Sequence, residues 1–261
     1  MPRQRVAGWV DLPPVHYDKP EECPTALRPD IYDCPICKNR SYRIWEDEQG
    51  NRKAVPCRCA PIRSGIMRLR KAGLAKAIND YTFEKYHTEG DRQRENILSA
   101  ARQYAQKPSG WFFIGGGTGT GKTHICAAIC RECILRGVDT RYVRWRDDAP
   151  EAKRAVNDSE AYRSLVQPWK DCRLLYIDDL FKTGKNGEDA QPTAADRNLA
   201  YEILNNRYMD PEKLTIISTE FSIREIMDID SAIGGRIVEM SRGRMCTTSK
   251  MPDWRRTHAR W

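Results

Sequence analysis

Four short apolar runs recur along the second half of the chain, each flanked by glycine or polar residues. They are "WFFI" at 111–114, "TRYVRW" at 140–145, "LLYI" at 174–177 and "LTIIS" at 214–218. Short runs rich in β-branched and aromatic side chains predict strands buried on both faces. A weaker fifth run, "RMCTTS", follows at 244–249. Between the runs the pattern turns helical. The stretch 124–136 predicts a helix closed by Gly137, and "AADRNLAYEILNNRY" predicts another. Strands alternating with helices predict an α/β fold, a parallel sheet of five strands with helices on both faces.

The first hundred residues have a different texture. Residues 1–30 carry many prolines and little periodicity, which predicts an extended lead-in. Residues 31–62 hold closely paired cysteines, and 63–106 read as a basic, helix-prone connector. The expected organisation is therefore a lead-in and cysteine module over 1–62, a connector over 63–106, and the α/β domain with a basic tail over 107–261.

Composition sharpens this picture. Hydrophobic residues make up 40% and charged residues 31% of the chain, which suits a globular protein. The net charge of +8 suggests a polyanionic partner. The excess is concentrated: residues 241–261 hold six Lys or Arg against Asp253 alone, and "RSGIMRLRKAGLAK" is a second basic run. The opening "MPRQRVAGWVDLPP" lacks the apolar core of a secretory signal, and no stretch approaches the ~20 apolar residues of a membrane span. The expectation is a cytoplasmic protein with no membrane partner. Ten cysteines in that setting point to metal or packing rather than disulfides.

The cysteines fall into two groups. Cys34 and Cys37 form C-x-x-C, and Cys57 and Cys59 form C-x-C after nineteen intervening residues. Thiolates paired on two tight turns suit tetrahedral Zn²⁺. Unliganded cysteines or an iron–sulfur cluster are the alternatives, and Cys23 is a substitute ligand. Cys126, Cys130 and Cys133 share one helical face, where cysteine acts as a small buried hydrophobe.

The central motif is "GGGTGTGKTH", directly after the first strand. Gly116, Gly117, Thr118, Gly119, Thr120, Gly121, Lys122 and Thr123 fit the Walker A pattern, with His124 next to it. Glycines let backbone N–H groups wrap a polyphosphate, Lys122 meets its outer phosphates, and Thr123 offers a hydroxyl to Mg²⁺. About 55 residues on, "LLYIDDLF" ends in two acids. Asp178 fits the Walker B carboxylate that holds Mg²⁺, and Asp179 stands where a base orients the attacking water. At the end of the next strand Ser218, Thr219 and Glu220 compete for the sensor position. Arg236, on an expected Gly-Gly turn, suits a finger reaching a neighbouring subunit's γ-phosphate.

"GGGTGTGKTHI", "LLYIDDLFKTG", "AYEILNNRY" and "LTIISTEFSIREI" together resemble the DnaC/DnaI-type bacterial helicase loaders, of the phage and prophage kind, within the DnaC–IstB group of AAA+ ATPases. The resemblance spans roughly 81–244. It implies a five-stranded AAA+ core with no substantial C-terminal lid. It also implies ATP-controlled self-assembly, contact with single-stranded DNA, and docking on a hexameric replicative helicase during DNA replication. It implies Lys122 and Thr123 for Walker A, Asp178 and Asp179 for Walker B, Thr219 or a neighbour as sensor, and Arg236 as finger. Glu220 departs from the pattern, since many relatives carry Asn there. Met240 departs too, since several carry a second arginine. The rival readings are an IstB-like ATPase serving a transposase, a P-loop small-molecule kinase, and a zinc-dependent binding module with a vestigial P-loop. In the loaders the segment after the third strand contacts single-stranded DNA, which here implicates Phe181, Lys182 and Lys185.

Overall fold

The computed structural model describes residues 7–13, 34–74, 80–182, 191–249 and 251–257. Cys23, Lys185, Lys250 and Arg260 lie outside the described residues.

The cysteine module is a small antiparallel sheet of β1 (Gly8–Val10), β2 (Tyr42–Glu46) and β3 (Arg52–Pro56), in that order. The β2–β3 hairpin closes through Asp47, whose carboxylate accepts from the backbone of Gln49 and Asn51. The turns on either side of the hairpin carry Cys34 and Cys37, and Cys57 and Cys59.

Helix α1 (Ala60–Leu69) starts directly behind Cys59, with Pro61 in its first turn where a missing N–H costs nothing. It buries Ile62, Ile66 and Leu69. Helix α2 (Arg92–Gln106) follows, its N-terminus capped by Asp91. The stretch expected as a connector thus supplies two helices that join the main core, packing with Ile125, Ile129 and Ile134.

The main sheet contains β4 (Trp111–Gly115), β5 (Thr140–Arg144), β6 (Leu174–Asp178), β7 (Leu214–Thr219) and β8 (Met245–Thr247). Its order is β5-β6-β7-β4-β8, with every neighbouring pair parallel. The fold is α/β. Alternation along β4 sends Phe112 and Ile114 into one core layer and Trp111 and Phe113 into the other. The first layer is closed by α1, α2 and α3 (Lys122–Leu135). The second is closed by α4 (Trp145–Arg154), α5 (Ser159–Asp171), α6 (Ala194–Tyr208), α7 (Ile223–Ile229) and α8 (Ser231–Met240). A short helix, α9 (Trp254–Thr257), ends the described chain.

Two details explain local sequence choices. Cys126, Cys130 and Cys133 are buried in the first layer, and burial pushes the Cys133 thiol up to about 12. Gly234 and Gly235 lie within α8 rather than on a turn, a correction to the sequence reading. A Cβ on Gly234 would come within 2.6 Å of Met227 Cγ and 3.0 Å of its Cα, so the glycine permits close approach of α7 and α8.

Candidate nucleotide site and cysteine cluster

The candidate nucleotide site forms where β4, β6 and β7 end together. Strand β4 releases the chain into the 116–123 loop, and α3 begins at Lys122 with Gly121 as its cap. Gly116 (φ 127°) and Gly119 (φ 69°) take dihedrals that side chains rarely adopt. A Cβ on Gly116 would also lie 2.7 Å from Ser249 N, and one on Gly119 only 1.9 Å from an Asp253 oxygen. The loop is therefore shaped by its own geometry and by the C-terminal segment packed on it. Thr120 Oγ1 donates to Gly117 O at 2.9 Å and meets Thr248 Oγ1 at 2.9 Å.

Lys122 is buried, and its Nζ donates to Gly116 O and Gly117 O, both at 2.7 Å. Burial lowers its pKa, opposed by the charges of Asp179 and Glu220. Asp178 collects hydroxyls. Its Oδ1 accepts from Tyr176 at 2.7 Å, from Thr123 at 3.3 Å and from Ser218. Its Oδ2 accepts from Tyr142 at 2.9 Å. This leaves a fixed carboxylate beside the Thr123 hydroxyl, a pairing of oxygen donors that suits Mg²⁺.

Asp179 sits in the left-handed region (φ 56°), which Asp tolerates better than most residues. Burial, then the neighbouring Asp178 charge, push its carboxyl above the usual carboxylate range. Lys182 bridges it (3.6 Å) to Glu220 (2.6 Å).

The cleft, of about 350 Å³, is lined by Thr118, Gly119, Thr120, Gly121, Lys122, Thr123, His124, Asp179, Lys182 and Glu220. Tyr81, Lys85, Tyr86, His87, Arg94 and Trp254 complete it. His124 stacks on Tyr81 (4.8 Å), and its Nε2 lies 2.8 Å from Thr82 O, which fixes the proton on Nε2. Trp254 stacks on His87 (5.9 Å) under the Arg94 guanidinium.

Of the three sensor candidates, Ser218 touches Asp178 and Glu220 lines the cleft. Thr219 faces elsewhere: its hydroxyl donates to Leu180 O at 2.8 Å and it is fully buried. Arg236 lies outside the cleft, on α8, donating to Asn205 Oδ1 (2.8 Å) and Tyr201 OH (3.2 Å). Phe181 is not available to stack on a base, contrary to expectation. It is 0% exposed and packs edge-on against Trp145 at 5.9 Å. Lys182 is committed to Glu220.

Sequence reading missed Tyr142, Tyr176, the aromatic group at 81–87, and Trp254. Tyr176 was within reach, since period two along β6 puts it on the face of Asp178. Tyr142 is its cross-strand partner in β5, and register is a tertiary fact. Trp254 sat in a stretch read only for charge.

The cysteine cluster is equally compact. The sulfurs of Cys34, Cys37, Cys57 and Cys59 all lie within 4.8 Å of one another and are buried. Cys34 and Cys57 are 3.7 Å apart, Cys37 and Cys59 3.4 Å. A tetrahedron with Zn–S bonds of about 2.3 Å has edges of about 3.8 Å, so the four fit such an ion. Burial pushes the Cys34 thiol up, but backbone donors at Cys37 and Ile36 prevail and bring it to about 7. Burial raises Cys57 and Cys59. Arg63, donating to Asn39 O at 2.5 Å and Ser41 Oγ at 3.0 Å, ties α1 to the cluster's turns.

Residues 58–230 match the family model of the IstB-like ATP binding proteins. The chain belongs to this family. Among relatives of this IstB-like chain, the phage-like element PBSX protein XkdC of Bacillus subtilis is 28% identical over 240 residues, covering 87% of this chain and 85% of the relative. The replicative helicase loader DnaC of Escherichia coli is 30% identical over 144 residues, covering 52% of this chain and 57% of the loader. Crystal structures of DnaI and of the DnaC helicase loader superpose with TM-scores of 0.52 each. At 19% and 20% identity they share the fold, covering 68% and 66% of this chain and 92% and 97% of theirs. The five-stranded parallel sheet thus has the fold of these two structures. Among the described residues no helix is long and apolar enough to cross a membrane.

Proposed function

We propose that this chain is an ATP-dependent loader of a hexameric replicative helicase, acting on single-stranded DNA in the cytoplasm. The observation that carries the reading is the cleft at the ends of β4, β6 and β7, in a chain with a helicase loader among its relatives. Gly116 to Thr123 cradle the phosphates of ATP. Lys122, now held by two loop carbonyls, is within reach to exchange them for phosphate oxygens. Tyr81, Tyr86, His87 and Trp254 offer flat apolar faces at the outer end, suited to the base.

Thr123 and Asp178 would hold Mg²⁺, which supplies charge neutralisation for phosphoryl transfer. Tyr142, Tyr176 and Ser218 keep the Asp178 carboxylate oriented. Asp179 orients the attacking water and takes its proton, and the Lys182–Glu220 pair fixes its position. A finger from another subunit, for which Arg236 is our candidate, would complete the site through ATP-controlled self-assembly. The four module cysteines would hold one structural Zn²⁺, contributing folding energy rather than chemistry.

The second reading, an ATPase serving a transposase, is favoured by the IstB description of the family itself. Size-exclusion chromatography with light scattering separates the two. The chain is mixed with the host's replicative helicase, with ATP or with ADP. A complex that forms and changes stoichiometry with the nucleotide supports the loader. No complex with either nucleotide, together with co-purification of a transposase, would remove it.

A further inference from the structure

We propose that the outer face of the cysteine module binds single-stranded DNA by stacking bases on Trp9 and Trp45. The inference rests on the reading that this chain handles single-stranded DNA, and it names the surface that does so. Of the described residues expected to meet DNA after β6, Phe181 is buried and Lys182 is engaged in the nucleotide cleft.

Register places Trp9 opposite Trp45, and Trp45 opposite Lys53, in one row across the three strands. Period two along β2 puts Arg43 on the same face. The side chains agree. The Trp9 and Trp45 rings meet edge-on at 5.1 Å, and the Arg43 guanidinium lies 3.6 Å over the Trp9 ring. Trp9 is 44% exposed and Trp45 36%, high for a residue type that is strongly buried on average, and Lys53 is exposed. Both rings are left partly exposed among the described residues.

Charge selects the partner. Arg43 and Lys53 give this face two cations. Of the nearby acids, Asp11 pairs with Lys38 at 2.5 Å, Glu46, across the sheet, pairs with Arg52 at 2.6 Å, and Asp47 is held in the hairpin turn by Gln49 and Asn51. Aromatic rings interleaved with cations suit bases and phosphates. The centre of a protein–protein interface, by contrast, is poor in lysine. Stacking is indifferent to base identity, so binding should be sequence-tolerant and strongly salt-dependent.

The test uses the full-length chain and a labelled oligothymidylate, followed by fluorescence polarisation across a salt series. Trp9→Ala with Trp45→Ala should weaken binding at least about tenfold. Trp45→Phe, which keeps a ring, should hold most of the affinity. Arg43→Ala with Lys53→Ala, surface changes that spare the fold, should flatten the slope of log affinity against log salt by about 1.4, or ~0.7 for each lost phosphate contact. Module metal content and basal phosphate release should not change. Affinity and salt slope equal to wild type in both double variants would overturn the proposal. So would variants that keep DNA affinity but lose the helicase, which would make this a protein-docking face. Wild-type protein that binds the oligonucleotide through these residues yet never joins a helicase would instead overturn the loader reading and leave this face standing.

Discussion

At Asp178 four hydroxyls converge on one buried carboxylate, from Tyr142, Tyr176, Ser218 and Thr123. Such bonds to a charged group contribute roughly 1.5–3 kcal/mol each. Their main effect here is to fix where the carboxylate points. Tyr142→Phe should leave Mg²⁺-free ATP binding intact and lower Mg²⁺-dependent turnover several-fold, read by phosphate release. Asp178→Asn should impair turnover far more than nucleotide binding, and Lys122→Ala should lose binding itself. Asp179 gives a pH dependence with a defined sign. Its carboxyl is raised by burial and by Asp178. It must be ionised to accept a proton, so turnover should fall on acidification at a pH above the ordinary Asp range near ~3.9. Asp179→Asn should abolish that acid limb together with most of the rate. A limb unchanged in the variant would assign it to another group.

At the scale of elements, the cysteine module and the sheet should fail separately. Cys34→Ser should lose Zn²⁺ by elemental analysis and unfold the module, because binding energy there is folding energy. ATP binding by the sheet should persist. Protein purified without chelator that contains no zinc would contradict the assignment. The sheet's own vulnerable point is Arg207. It is fully buried, with its guanidinium donating to the carbonyls of Trp169 and Cys172 (2.9 Å each) and Leu214 (2.5 Å). It pins the approach to β6 against the start of β7. Arg207→Ala strands several buried carbonyls and should cost about 3 kcal/mol or more, measured by urea unfolding.

Strands β4, β6 and β7 were legible because each buries both faces, so "WFFI" and "LLYI" read as unbroken apolar runs, whereas the half-exposed strands of the cysteine module gave no such signal. Helix α6 was legible from "AADRNLAYEILNNRY", and the structure adds a capping box of Thr193 and Asp196 at its start. The 116–123 loop was legible as the passage from a strand into a helix, because its glycines take dihedrals that other residues rarely adopt. What resisted reading was tertiary. The hydroxyl of Thr219 turns toward Leu180, and Phe181 enters the core through a left-handed turn (φ 67°). No local pattern encodes either. Residues 63–106 looked like a connector because the apolar faces of α1 and α2 are narrow and their basic outer faces dominate the composition.

At the scale of the whole molecule, the cleft opens between the sheet, the aromatic stretch 81–87 and the C-terminal segment that carries Trp254. An isolated chain holds Arg236 against Asn205 and Tyr201, away from its own cleft. If that arginine serves a neighbour, one chain alone has an incomplete site. Asp179 is also a methylene shorter than the glutamate usual in fast motors of this fold, and displacement of the attacking water by about 1 Å can cost ~10²-fold. Both features suit a switch rather than a motor. Arg236→Ala should therefore keep ATP binding and lose stimulated turnover. The most direct measurement is steady-state phosphate release by the purified chain, alone and with single-stranded DNA and the replicative helicase. A switch releases phosphate slowly as the chain alone and markedly faster when both are added. Rapid release by dilute chain, indifferent to either addition, would contradict it.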